Sequence, residues 1–162
     1  VTAYGYTVLN GCELMLQEEG SWPEPDQLRV AAVMQSNRDS GGRVFGNQPG
    51  MTNTVGITPD PDIPASGLNT VASLVTLLGR CTCVETAGTV QTNFWIDDGS
   101  GLWDGLCESN GVKVHIPAGY AGPPITFRQY YSVTGIMRTD TTPLGECVRW
   151  LWPRSDLDIV TQ

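Results

Sequence analysis

The sequence predicts an all-β protein: a small closed barrel of five short strands in Greek-key order, preceded by a β-rich N-terminal part. Three observations predict it. Charged residues are only 16% of the 162-residue chain, below the usual quarter of a soluble globular protein. Gly (19) and Pro (11) are abundant, and the Ala-, Glu-, Lys- and Leu-rich runs of helical proteins are missing. Finally, apolar residues recur at a period of two in several runs bounded by turn residues.

Taken in order, 1–17 reads as extended, with Tyr4, Tyr6 and Val8 on one side and Leu14 and Leu16 continuing the pattern after Gly11 and Cys12. SWPEPD at 21–26 is a proline-broken turn. The apolar stretch 28–34, with Val30, Ala31, Ala32 and Val33, suits a strand or a short helix and is read as a strand. Residues 36–64 form an irregular stretch rich in Gly and Pro. A loop of this length either makes contacts or acts as a linker, and both readings stand.

From Gly67 the pattern tightens. VASLVTLLGRCTCV at 71–84 is a long first barrel strand whose Gly79 would let it turn a corner. NFWID at 93–97 is a second strand, followed by the turn signal Asp98-Gly99-Ser100-Gly101. Val112, Val114 and Ile116 alternate as a third. Residues 117–128 connect to a fourth strand at 130–137, CVRWLW at 147–152 is the fifth, and 157–160 closes the chain. The expected division is therefore 1–66, an N-terminal segment packing on or extending the barrel, and 67–162, the barrel.

The residues of the second part carry a resemblance. Gly67-Leu68-Asn69 with Ser73-Leu74-Val75 and Gly79-Arg80 opens the match, which continues through Phe94-Trp95-Ile96-Asp97-Asp98-Gly99-Ser100-Gly101-Leu102 and Asp104-Gly105. It runs on through Gly111-Val112-Lys113-Val114, Tyr131-Ser132-Val133-Thr134-Gly135-Ile136 and Pro153-Arg154-Ser155-Asp156 with Asp158-Ile159. This set resembles an OB-fold module of secreted bacterial proteins, over about 67–160, with Gly50-Met51-Thr52-Asn53 a weaker upstream match. The resemblance implies a five-stranded OB-fold barrel, and a binding or surface module in place of an enzyme. The cysteines and the N-terminal part depart from the pattern.

Composition narrows the partners. Nine basic residues against 17 acidic ones give a net charge of −8, with no basic stripe to neutralise phosphates, so no nucleic-acid partner is expected. No apolar stretch of about 20 residues is present, so no membrane span is expected. The five cysteines, Cys12, Cys81, Cys83, Cys107 and Cys147, lack C-x-x-C spacing. His115 is the only histidine, which leaves a zinc site short of ligands. No metal and no cofactor is expected. Disulfides are the reading taken, and they imply an oxidising compartment. A removed signal peptide would also account for the chain starting at Val1, so the expected location is secreted or extracellular.

An odd cysteine count leaves one thiol over. In an OB barrel the fifth strand neighbours the first, so the resemblance makes Cys147 a partner for Cys81 or Cys83. Cys12 would tie the N-terminal part to the other, leaving Cys107 unpaired. Cys81 and Cys83, two apart, are expected on one strand face.

Three further groups are candidate sites. Asp97, Asp98 and Asp104 beside Ser100 resemble an oxygen-rich calcium loop, but lack EF-hand spacing and read as a satisfied turn. Trp95, Trp103, Tyr130, Trp150 and Trp152 form either a stacking platform for glycans or an interface and core set. Tyr131 belongs with them by sequence. Trp150 and Trp152 share one face. His115 points away from the face of Val114 and Ile116 and has no nucleophile motif beside it, so no catalytic residue is expected.

Two functions fit. The first is a non-enzymatic extracellular structural subunit that assembles with copies of itself into a filament or surface polymer, with 1–9 adding as a strand to a neighbour's sheet. The second is a secreted carbohydrate-binding module.

Overall fold

The structure, a computed structural model, describes residues 2–10, 12–22, 31–46, 48–51, 54–55, 67–103, 107, 110–141, 145 and 147–162. It is all-β, with three sheets and no α-helix among the described residues. The strands are β1 (Thr2–Asn10), β2 (Glu13–Trp22), β3 (Val33–Met34), β4 (Thr54–Val55), β5 (Leu74–Ala87), β6 (Val90–Asp97), β7 (Leu102–Trp103), β8 (Val112–His115), β9 (Tyr130–Thr141), β10 (Cys147–Trp152) and β11 (Ile159–Thr161). A 3-10 turn at Asp156–Asp158 precedes β11.

The main sheet has seven strands in the order β11-β9-β10-β8-β6-β5-β3, where five were expected. The two extra members are short edge strands, β3 beside β5 and β11 beside β9. β9 also pairs with β5, so the pairings β5-β6-β8-β10-β9 return to β5. All are antiparallel except β8 with β10 and β3 with β5.

Alternation builds the core. Val75, Leu77 and Cys81 of β5, Phe94 and Ile96 of β6, Val112 and Val114 of β8, Tyr131, Val133 and Met137 of β9, and Leu151 of β10 pack together out of solvent. Each large apolar side chain so buried stabilises the fold by roughly 1.5–3 kcal/mol. Tyr131 meets Phe94 edge-on at 5.5 Å and accepts the Thr126 N–H at 2.9 Å, so its polar end is satisfied.

Two glycines let strands approach closely. A Cβ on Gly135 would lie 2.6 Å from the Trp152 carbonyl oxygen, where β10 crosses β9. A Cβ on Gly79 would lie 2.9 Å from the Asp97 backbone. Gly79 therefore serves close packing of β5 on β6. The irregularity expected there falls two residues later, as a register shift between Cys81 and Cys83. That bulge reverses the alternation. Cys81 faces the core, Val84 packs against it, and Cys83 is only half-buried, so the two cysteines do not share a face.

β1 and β2 form a separate two-stranded antiparallel sheet, with Asn10 opposite Glu13. The N-terminal part is thus a long hairpin, where the sequence reading had one extended run. Of 28–34, β3 covers only Val33–Met34, and 28–30 lie outside the described residues. The described parts of the 36–64 stretch make contacts: Asn37, Ser40, Gln48 and Met51 are buried.

Candidate functional site

Two disulfides form, Cys12–Cys147 and Cys83–Cys107, and Cys81 is the free thiol. This corrects the expected pairing on each count. Cys147 takes Cys12 in place of a β5 cysteine, Cys107 is bonded, and the odd residue is Cys81. Plain alternation after Val75 and Leu77 carries Cys81 into the core, and the bulge that follows it turns Cys83 out toward Cys107. Two disulfides are consistent with an extracellular protein. Burial pushes the Cys81 thiol up to about 11, only partly opposed by its bond to the Cys83 carbonyl. Native protein is expected to show no reaction with a thiol reagent at pH 7, and one equivalent after unfolding in guanidinium without reductant. A reactive native thiol, or three equivalents on unfolding, would refute the pairing.

On the outer face of β6, β8, β10 and β9, one row of paired residues reads Trp95, Lys113, Trp150, Arg138. Aromatic and cationic side chains alternate along it. The Lys113 ammonium lies 4.4 Å from the Trp150 ring centroid and 5.9 Å from that of Trp95, and the Arg138 guanidinium lies 4.5 Å over Trp152. Each cation also has a carboxylate: Lys113 with Asp140 at 2.9 Å, Arg138 with Glu13 at 3.1 Å. Glu13 begins β2, so the row ends on the hairpin. Half-buried cation–π contacts contribute about 0.5–2 kcal/mol each.

Trp150 and Trp152 share this face as expected, edge to face at 4.9 Å. His115 stacks on Trp152 at 4.5 Å, meets Trp150 edge-on and lies 3.4 Å from Asn93 Oδ1. The ring faces that a sugar would stack on are thus largely occupied by Lys113, Arg138 and His115. Trp95 is buried. Trp103 is elsewhere, on β7, donating its indole N–H to the Cys107 carbonyl at 2.9 Å. Tyr130 is 52% exposed on the far stretch of β9. The five aromatics therefore do not form one platform.

Desolvation, then the charge of Lys113, pulls the His115 pKa below 6.5. The unfolded chain then binds the proton first as pH falls. Stability is full above 6.5 and declines as pH drops through the window down to the folded pKa. We expect Tm to fall between pH 7.5 and 5, with a shallower fall in His115→Gln. Equal slopes in the two proteins would exclude this histidine as the source.

The acidic turn is internally satisfied. Asp97 accepts the Gly101 N–H at 3.2 Å, while Asp98 accepts the Ser100 N–H and hydroxyl and, at 2.8 Å, the Asn37 N–H. Asp104 lies outside the described residues. No group of three or more His, Cys, Asp or Glu able to hold a metal occurs among the described residues. No helix among them is long and apolar enough to cross a membrane.

Two features had no place in the sequence reading. Arg149 is 4% exposed, on the face of Leu151, and donates to the carbonyls of Ser40 at 2.6 Å and Arg38 at 2.9 Å. A groove of about 910 Å³ lies between the β5–β6 turn and the segment carrying Pro117 and Tyr120, with His115 on its wall. No family model, curated protein or solved structure matches the chain.

Proposed function

We propose that this chain is a non-enzymatic extracellular structural subunit that assembles with copies of itself into a filament or surface polymer. The observation carrying the reading is the β1–β2 hairpin. It forms a sheet of its own, joined around its turn to the main sheet by Cys12–Cys147 and Glu13–Arg138, and to the segment before β4 by Gln48, which donates to the Cys12 carbonyl at 2.7 Å. A lone two-stranded hairpin is marginal in water, and among the described residues each of its strands has one unpaired edge. Pairing with a neighbour's sheet resolves both problems. The returning order β5-β6-β8-β10-β9, with β8 parallel to β10, supports an OB-type barrel as the body of the subunit.

The test is size, by light scattering and negative-stain imaging of native protein. Long regular polymers are expected, reduced to monomer by deletion of residues 1–9. Polymers that survive the deletion overturn the reading. The groove beside His115 favours a second reading, a carbohydrate-binding module. It predicts a monomer whose tryptophan fluorescence shifts with a glycan, and no shift with any glycan removes it.

A further inference from the structure

The outer face of β5, β9 and β11 carries three exposed apolar side chains, Leu78, Tyr130 and Val160, among Thr76, Thr134, Ser132 and Arg80. Val160 pairs with Ser132, Ser132 with Leu78, and Tyr130 with Arg80. Alternation sends Leu77, Tyr131, Val133 and Ile159 to the core and these residues outward. Leu78 is 48%, Tyr130 52% and Val160 49% exposed. Beside them Arg128, whose N–H bonds the Cys81 carbonyl, lies 5.2 Å over the exposed Phe127 ring. Neither Arg80 nor Arg128 has an ion-pair partner among the described residues. β11 is the end strand of the main sheet, so its far side has no strand partner among those residues.

We infer that this face, from the β11 edge across Val160, Leu78 and Tyr130, receives the N-terminal hairpin of a second copy of the chain. The inference rests on the self-assembly reading and names the surface it uses. Charge is complementary. Residues 2–22 contain Glu13, Glu18 and Glu19 and no Lys, Arg or His. Glu13 is paired with Arg138, and the sequence of the hairpin adds Glu18 and Glu19 as charges opposite to Arg80 and Arg128. Backbone need is complementary too, since among the described residues both the hairpin and β11 have open edges. Position then decides the kind of assembly. The hairpin is tethered through Cys147, which pairs with Thr141 at one end of β9, while Tyr130 at the other end belongs to the receiving face. Eleven strand steps separate the two ends of β9 (Tyr130–Thr141), roughly 35 Å at about 3.3 Å per residue. Donor and acceptor at opposite ends make a head-to-tail contact, which extends without closing on itself.

The test uses two charge-reversed full-length proteins, Arg80→Glu/Arg128→Glu and Glu18→Arg/Glu19→Arg, beside the deletion of residues 1–9. Each reversed protein alone pairs like charges and is expected to remain a 17.5 kDa monomer. Mixed in equal amounts, they are expected to copolymerise, because each hairpin then meets a face of opposite charge. Copolymerisation also shows that both variants fold. Unchanged polymers of Arg80→Glu/Arg128→Glu, or two monomers that stay monomeric when mixed, overturn the assigned face. If the deletion still abolishes assembly, self-assembly stands and only the face is wrong. Polymers that survive the deletion overturn both.

Discussion

Replacing Arg149 with methionine is expected to destabilise the protein by about 3 kcal/mol. Its guanidinium sits on the core face of β10 and donates to the Ser40 and Arg38 carbonyls. Burial pulls its pKa down to about 9, against the carboxylate of Asp39, which pulls it up. Methionine fills much of the volume but leaves two carbonyls short of a donor, at about 1–3 kcal/mol each, partly offset by the loss of a buried charge. The turn bearing Ser40 is also fastened to β6, because Asn37 donates to the Ile96 carbonyl at 2.7 Å and its backbone N–H bonds Asp98. Loss of Arg149 therefore loosens a segment that reaches two strands.

Arg149→Lys is the informative companion. It keeps the charge and loses the planar fork that spans two acceptors. It should be no more stable than Arg149→Met. Urea unfolding at pH 7 measures both. Lysine behaving as wild type would mean that charge alone matters at this site, and an unchanged midpoint in Arg149→Met would remove the residue's structural role.

Cys12→Ser/Cys147→Ser is expected to have the other large effect. The bond closes a sequence separation of 135 residues, and loop closure on that scale restricts the unfolded chain by about 4–5 kcal/mol. For a domain of this size, a Tm fall of roughly 10 °C follows. The loss should also be local. Without the bond, the described ties at the hairpin turn are Glu13–Arg138 and Gln48 with the Cys12 carbonyl. Amide hydrogen exchange should accelerate in β1 and β2 well before the main sheet opens. The pair Cys83–Cys107, with a separation of 24, closes a smaller loop, and its removal should leave the hairpin amides protected. Equal exchange of β1 and β2 in the two disulfide variants would show that Cys12–Cys147 does not anchor the hairpin.

The stacked row is held from both ends by the same logic. Lys113 and Arg138 neutralise Asp140 and Glu13 while covering tryptophan faces. The Nε1–H groups of Trp150 and Trp152 are nevertheless buried without a hydrogen-bond partner among the described residues, a cost that cation–π and stacking contacts in the row offset.

Local pattern was enough for much of this molecule. The all-β class and the positions of the main strands followed from alternation, and 147–152 matched β10 at both ends. The shared face of Trp150 and Trp152 and the outward His115 followed from the same period, because a strand's two faces are set by neighbouring residues alone. The hairpin also had a local signal, Asn10-Gly11 between two alternating runs, which favours a tight turn. What only the tertiary structure decided depends on distant partners. The bulge in β5 turned Cys83 off the face it would have shared with Cys81 and toward Cys107, and the partner of Cys147 came from the hairpin. Nothing near Arg149 in sequence marks it as buried, and its acceptors come from a turn more than 100 residues away. The alternation of Trp95, Lys113, Trp150 and Arg138 exists only across four strands in register. A run of residues determines which way each side chain points. The register between strands determines what it meets, and that register is a property of the closed set of pairings rather than of any one strand.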